Sequence, residues 1–185
     1  MLDALVMSTG IVALAEVGDK TQLLSFFLAA RYRRAWPIVW GILIATLLNH
    51  GLAGALGVLA RDWLEGDALQ WALGIGFLAM AVWLLIPDRL DNEPKPINSS
   101  NLFLITLVAF FIAEMGDKTQ IATVGLAAHY NDYLMVVMGT TLGMMIANVP
   151  AVLIGERLAE RLPKRMIQSV AAVLMAALGV AIIVF

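Results

Sequence analysis

The sequence predicts an all-α membrane protein in which six transmembrane helices form two inverted three-helix repeats. Three observations predict this fold class: the composition, the spacing of long apolar segments and an internal repeat. The 185 residues are 61% hydrophobic and only 14% charged, with a mean hydropathy of +0.87, which is far from the average of soluble domains. Little of the chain is left for a soluble domain, and the net charge of -2 gives no reason to expect a nucleic-acid partner.

Six segments are long and apolar enough to cross a bilayer, which takes about 20 residues per helix. No basic residue precedes the first segment, and no small-residue cleavage site followed by a mature domain comes after it. We therefore expect it to be a spanning helix and not a signal peptide. The predicted spans are residues 2–30, 38–60, 69–86, 102–128, 134–154 and 166–185.

An internal repeat relates the two halves of the chain at a constant offset of 98 residues. Residues 15–30 align with residues 113–128 without a gap, and scattered identities continue through the later helices. We therefore divide the chain into repeat 1 (1–86), a linker (87–100) rich in Pro, Asn, Ser and charge, and repeat 2 (101–185). Because three spans is an odd number, the second repeat must enter the membrane from the opposite side, so the repeats are predicted to be inverted.

The basic residues of the loops predict the orientation in the membrane. On one side, alternate loops carry nine Lys and Arg residues, whereas the other side carries only Arg61. Basic residues near helix ends stay cytoplasmic, so we expect a cytoplasmic linker and both termini outside the cytoplasm. The nine residues are Arg31, Arg33, Arg34, Arg89, Lys95, Arg157, Arg161, Lys164 and Arg165.

A polar seven-residue motif lies near the middle of the first and fourth segments. It reads EVGDKTQ at residues 16–22 and EMGDKTQ at residues 114–120. In each copy the two acids are three residues apart, which places them on one face of a continuous helix, and the lysine follows the glutamate by four residues, a spacing that favours a Glu–Lys pair. The glycine between them lets a helix or an ion approach the backbone and permits a local break.

The charges of the motif predict a cation site. Each ionisable group at the bilayer centre costs about 2.5 to 3.5 kcal/mol on insertion scales, and four acids accompany only two lysines. If all ionise, the excess is -2, which one divalent cation would neutralise. The alternative is that the ion pairs only hold the helices in register. Where the two helices meet, the candidate ligands are Glu16, Asp19, Glu114, Asp117, Gln22 and Gln120, with Lys20 and Lys118 balancing charge.

The types of ligand in the motif limit which metal ions the site can bind. Carboxylate and amide oxygens suit Ca²⁺, Mn²⁺ or Mg²⁺, whereas Cu⁺ and Zn²⁺ favour thiolate and imidazole, and the chain has no Cys. Mg²⁺ dehydrates reluctantly, which leaves Ca²⁺ and Mn²⁺. Carboxylates in a low-dielectric site hold protons and release them when a cation binds, so we expect exchange of metal for protons. Repeats around a midplane site are typical of alternating access.

Further polar residues in the predicted spans are candidates for supporting the ligands or for a proton path. His50 aligns with Asn148 in the repeat. The alternative is a hydrogen bond between helices that only satisfies buried polar groups. These candidates are Ser25, Thr123, Thr21, Thr119, Asn49, His50 and Asn148.

The two copies of Glu-x-Gly-Asp-Lys-Thr-Gln, each in the first helix of a three-helix repeat, resemble the signature of the Gdt1-type family of cation/proton antiporters, and within it the bacterial MneA-type manganese exporters. The resemblance covers the whole chain, and both copies match. It implies export of Mn²⁺, or Ca²⁺ in some relatives, against inward protons. It also implies that Glu16, Asp19, Glu114 and Asp117 are ligands, with the two glutamines as auxiliaries. The short chain resembles a bacterial inner-membrane member.

Two other function classes stay open. One is a transporter of another solute, such as an amino acid, and the other is a membrane assembly or regulatory factor that binds metal without moving it. No enzyme is predicted, because the sequence shows no nucleophile with a base, no phosphate loop and no ATP-binding domain. We expect no cofactor beyond the transported ion, and we expect the energy to come from an ion gradient. One chain carries both motif copies, so a monomer suffices, although a dimer stays open.

Overall fold

The computed structural model describes residues 1–64, 66–86, 101–154 and 164–184. The predicted linker (87–100), with Arg89 and Lys95, lies outside the described residues, as do Arg157 and Arg161 of the later basic loop. The described part of the chain forms eight α-helices and no strand, which confirms the all-α class. They are α1 (Leu2–Glu16), α2 (Lys20–Tyr32), α3 (Ala35–Trp63), α4 (Asp67–Leu84), α5 (Leu102–Glu114), α6 (Lys118–Tyr130), α7 (Tyr133–Ile154) and α8 (Lys164–Val184).

Four of these helices are long and apolar enough to cross a membrane: Ala35–Trp63, Asp67–Leu84, Tyr133–Leu153 and Arg165–Val184. They coincide with the second, third, fifth and sixth predicted spans, and α5 is a shorter apolar helix. Many large apolar side chains point outward, including Leu52, Leu56 and Leu59 along α3. Such a surface is suited to lipid, because soluble proteins rarely expose large continuous apolar patches. The protein is a multi-pass membrane protein.

The first and fourth predicted spans are not continuous helices, and this part of the prediction was wrong. Each is broken at the motif, so that Glu16 ends α1 and Asp19 precedes α2, and likewise Glu114 ends α5 and Asp117 precedes α6. The cause is the glycine between the acids, since Gly18 has φ +84° and Gly116 has φ +73°. Glycine adopts this left-handed conformation readily, whereas a right-handed helix cannot continue through it.

The break is stabilised by the motif's own side chains. The Gly18 N–H donates to Oε1 of Gln22 at 2.9 Å, and the Gly116 N–H donates to Oε1 of Gln120 at 2.7 Å. Asp19 is the N-cap residue of α2 and accepts a long hydrogen bond from the Thr21 N–H at 3.4 Å. In both breaks the glycine N–H is therefore satisfied by the motif's own glutamine, as buried backbone in lipid requires, whereas Asp117, the N-cap residue of α6, makes no side-chain cap hydrogen bond.

Small residues allow the long helices to approach the broken ones. A Cβ at Gly41 of α3 would lie 2.6 Å from Cβ of Thr106 in α5, and one at Gly139 of α7 would lie 2.9 Å from Cβ of Ser8 in α1. A Cβ at Gly57 would clash with the Val124 carbonyl oxygen of α6. These glycines are therefore close-packing positions of the kind found between membrane helices.

The remaining two helices, α4 and α8, pack together on one side of the broken helices. One buried apolar cluster draws mainly on α1, α4, α6 and α8, and a second draws mainly on α2, α3 and α5. Helix α4 lies on α6 and α8 lies on α1. Under the 98-residue offset, the counterparts of these contacts would join α8 to α2 and α4 to α5, and neither pair is among the main contacts. The α4–α8 pair therefore contacts the helix before the break in the first motif copy and the helix after the break in the second.

A candidate metal site at the two helix breaks

Three carboxylates from the two motif copies lie close together. Glu16 at the end of α1, Asp19 before α2 and Asp117 before α6 each offer an oxygen within 4.8 Å of the others, and all three are buried. The break makes this possible, because it places the acids at helix ends and not along one helix face. Among the described residues this is a group whose geometry allows it to hold a metal ion.

Each glutamate of the motif has one oxygen bound and one oxygen without a partner. Oε2 of Glu16 accepts from the Thr21 hydroxyl at 2.6 Å, and Oε2 of Glu114 accepts from the Thr119 hydroxyl at 3.0 Å. Within the described part of the chain, Oε1 of both glutamates and Oδ2 of Asp117 make no hydrogen bond. Glu114 is fully buried but lies outside the three-carboxylate group. Buried oxygens without donors are costly, and a cation would satisfy them.

The spacing predicted that each lysine pairs with the glutamate four residues before it. The structure shows a different pairing. Nζ of Lys20 lies 2.7 Å from Oδ1 of Asp117, and Nζ of Lys118 lies 3.5 Å from Oδ1 of Asp19. Each lysine thus reaches the aspartate of the other motif copy. The physical reason is the break: the four-residue rule holds only along one continuous helix, and here the lysine begins a new helix. The role in charge balance stays a prediction.

The two glutamines fasten the breaks to the long helices of the other half. While its carbonyl oxygen accepts from Gly18, Gln22 donates from Nε2 to the Ala147 carbonyl of α7 at 3.2 Å. Gln120 likewise donates from Nε2 to Oδ1 of Asn49 in α3 at 3.2 Å. Sequence reasoning considered them only as ligands and missed this bracing role. Residue type alone could not have indicated it, because the Ala147 partner is a backbone carbonyl.

The supporting polar residues fall into three groups. Thr21 and Thr119 donate to the glutamates, as described above, and Asn49 links Gln120 to the Phe111 carbonyl of α5, to which its Nδ2 donates at 3.1 Å. The Ser25 hydroxyl donates to Oδ1 of Asn148 at 2.8 Å. Thr123 and His50 contact no motif side chain through a hydrogen bond among the described residues: Thr123 donates to the Thr119 carbonyl at 2.7 Å, and both ring nitrogens of His50 lack a partner.

Comparison with known proteins shows which family the chain resembles. The family model described as "Divalent cation/proton antiporter GDT1" matches residues 4–92 and 102–185, so each matched segment contains one motif copy. A Vibrio cholerae protein named "Putative manganese exporter" is 53% identical over 173 residues, covering 93% of this chain and 86% of that protein.

More distant relatives occur in photosynthetic organisms. A GDT1-like protein of Synechocystis is 29% identical over 186 residues, covering 89% of this chain and 89% of that protein. The Arabidopsis thaliana "GDT1-like protein 3" is 24% identical over 200 residues, covering 94% of this chain and 68% of that protein. No solved structure matches the chain. The doubled motif, the helical membrane fold and these matches lead to one conclusion: the chain belongs to the GDT1 family of divalent cation/proton antiporters.

Proposed function

We propose that this protein exports Mn²⁺ from the cell in exchange for protons, with Ca²⁺ as an alternative cargo, and that the acids of both motif copies form the transport site. The observation that carries the proposal is the group formed by Glu16, Asp19 and Asp117, in which carboxylates from the two halves lie within 4.8 Å of one another. Buried carboxylates that lack a full set of donors suit a hard divalent cation.

The charge balance supports exchange of one divalent cation for two protons. The four motif acids and two motif lysines sum to -2 when all are ionised. Either one divalent cation or two protons bring that sum to zero, so the loaded and the protonated forms carry the same charge. Because charge in the membrane is expensive, both forms can change conformation, whereas the empty ionised form is held back. This is the requirement for obligatory exchange.

The broken helices bring helix ends to the site. Helices α1 and α5 end at the glutamates, so the negative ends of their dipoles lie beside those carboxylates, whereas α2 and α6 begin directly after the aspartates and place positive ends there that offset this effect. Interrupted helices at a midplane site are a recurring feature of secondary transporters. Gln22 and Gln120 keep a second lone pair on the carbonyl oxygen that caps the break, and we propose them as auxiliary ligands. The choice of Mn²⁺ over Ca²⁺ is supported by the name of the Vibrio cholerae relative.

The membrane arrangement is proposed as two inverted three-helix repeats that alternate access around this site, in the inner membrane of a bacterium. The internal sequence repeat supports inversion, and the nine-to-one bias of basic residues supports a cytoplasmic linker with both termini outside the cytoplasm. Each chain holds both motif copies, so one chain is proposed to form a complete transport unit.

The test is transport in proteoliposomes with an imposed pH gradient. We expect the wild type to take up Mn²⁺ when the lumen is acidic and to move protons the other way, and we expect Asp19→Asn to abolish both fluxes. Asp62→Asn is the matched control, because Asp62 is an exposed carboxylate near the end of α3, and it should transport normally.

Three outcomes would contradict the proposal. Normal Mn²⁺ flux in Asp19→Asn would show that Asp19 does not belong to the transport site. Flux of an amino acid and not of Mn²⁺ or Ca²⁺ would establish a different cargo. Binding of Mn²⁺ by the wild-type protein without any transport into the proteoliposomes would favour a metal-binding assembly or regulatory factor.

A further inference from the structure

His50 is a wholly buried side chain that nothing in the described part of the chain satisfies. It is 0% exposed, and neither Nδ1 nor Nε2 has a hydrogen-bond partner. Buried polar groups are nearly always paired, and the proposed transport site does not use this one. Its position in the repeat indicates what it is for.

The contacts of α2 with α7 and of α6 with α3 correspond to each other under the 98-residue offset. Gln22 donates to the carbonyl of Ala147, and Gln120 donates to the side chain of Asn49, which is the residue equivalent to Ala147. One helical turn further on, Ser25 of α2 donates to Asn148 of α7 at 2.8 Å. The same offset maps Ser25 onto Thr123 and Asn148 onto His50.

The equivalent hydrogen bond between Thr123 and His50 is not made in this structure. The Thr123 hydroxyl instead donates to the Thr119 carbonyl of its own helix at 2.7 Å. The threonine oxygen can still accept a hydrogen bond, and one nitrogen of a neutral imidazole donates. The two residues can therefore form a hydrogen bond if α3 and α6 shift relative to each other.

The unequal state of these two pairs coincides with unequal exposure of the two breaks. Around the second break, Met115 is 61% exposed and Gly116 is exposed, whereas Val17 and Gly18 of the first break are half-buried. Lys20, which pairs with the second copy's aspartate, is 27% exposed, and Lys118, which pairs with the first copy's aspartate, is 4% exposed. The Ser25–Asn148 hydrogen bond is thus made on the side of the first break, which is the more covered of the two breaks.

We propose that Ser25–Asn148 and Thr123–His50 are alternating latches that position the motif helices during transport. The Ser25–Asn148 bond holds the conformation described here, in which the second break is open. In the opposite conformation this bond is released, and His50 donates to Thr123 while the first break opens. The four residues are positioning residues and do not bind the cation. The inference rests on the proposed function, because it assigns the two conformations to alternating access.

Cysteine labelling tests the latches, because the chain has no native Cys. Val17→Cys and Met115→Cys each report one break through their labelling rates with a hydrophilic thiol reagent in metal-free proteoliposomes. Ser25→Ala should raise the Val17→Cys rate relative to the Met115→Cys rate by about fivefold, the shift expected from losing one net hydrogen bond. Thr123→Val and His50→Leu should lower that ratio. His50→Asn keeps a donor and should leave it near the wild-type value.

Two results would overturn the proposal: an unchanged ratio in both Thr123→Val and His50→Leu, or a shift in the same direction as Ser25→Ala. Thr123→Val is nearly isosteric, so it answers the question even if His50→Leu does not fold. Labelling needs neither metal nor a pH gradient. A wild type that fails to transport Mn²⁺ would therefore overturn the proposed function while the labelling ratio still decides the latches.

Discussion

The two motif copies share five consecutive residues, Gly-Asp-Lys-Thr-Gln, and form the same broken helix, yet they lie in different surroundings. The first break is half-buried and is followed by α2, which makes the Ser25–Asn148 bond, whereas the second is exposed and is followed by α6, which packs on α3, where His50 has no hydrogen-bond partner among the described residues. The α4–α8 pair contacts the helix before the first break and the helix after the second, α1 and α6, in preference to α2 and α5. Nearly identical local sequences therefore lie in differently packed surroundings.

The largest expected effect is the loss of transport when either motif glutamate is substituted, and here the two halves should behave alike. We expect Glu16→Gln and Glu114→Gln each to reduce Mn²⁺ transport by more than about 100-fold, beyond what loss of a group behind the ligands costs. The reason is that the two glutamates have equivalent threonine partners, Thr21 and Thr119, and exchange surroundings in the proposed transport cycle. The measurement is the initial rate of pH-driven uptake. Wild-type rates in Glu114→Gln alone would show that the three-carboxylate group works without the second glutamate.

Substitution of the two motif lysines tests a property in which the halves should differ, the loss of stability when the lysine is removed. Lys118 is nearly fully buried, so Lys118→Met removes a buried ammonium that lies 3.5 Å from Asp19 and should destabilise the fold by on the order of 3 kcal/mol. Lys20 is 27% exposed, and because an ammonium within a membrane protein faces water and not lipid, water replaces more of the lost interaction and Lys20→Met should cost clearly less. Thermal unfolding in detergent measures both. Equal losses would mean that the exposure difference between the halves does not persist in solution.

The smallest expected effect concerns the glycines of the two breaks. It tests how much of the stability loss comes from the backbone conformation and how much from neighbouring atoms. Gly18→Ala and Gly116→Ala should each destabilise the fold by about 1 to 2 kcal/mol, because both positions have positive φ. A Cβ at Gly116 meets no atom within 4 Å, so the loss there arises from the backbone alone. Gly10→Ala is the matched control: Gly10 is helical with open space around it, and alanine should stabilise it by about 0.5 to 1 kcal/mol. A neutral Gly116→Ala would contradict the strained break.

Hydropathy predicted the four uninterrupted spans, because a helix that crosses lipid must carry about 20 apolar residues in a row. The same argument failed at the motif. A window of hydropathy averages over residues 16–22 and does not detect that Gly18 leaves the helical region. The glycine permitted a break, but only the fold required it, so the assignment of both acids to one helix face was wrong.

The order of residues by itself determined the membrane class, the doubled acidic motif, its place midway along two apolar segments and the excess of negative charge there. The tertiary structure decided which groups meet. Lys20 binds Asp117, Gln120 binds Asn49, and His50 is left without a partner in the described part of the chain. These contacts depend on helices far apart in sequence, because Lys20–Asp117 and Gln120–Asn49 each join residues of opposite halves.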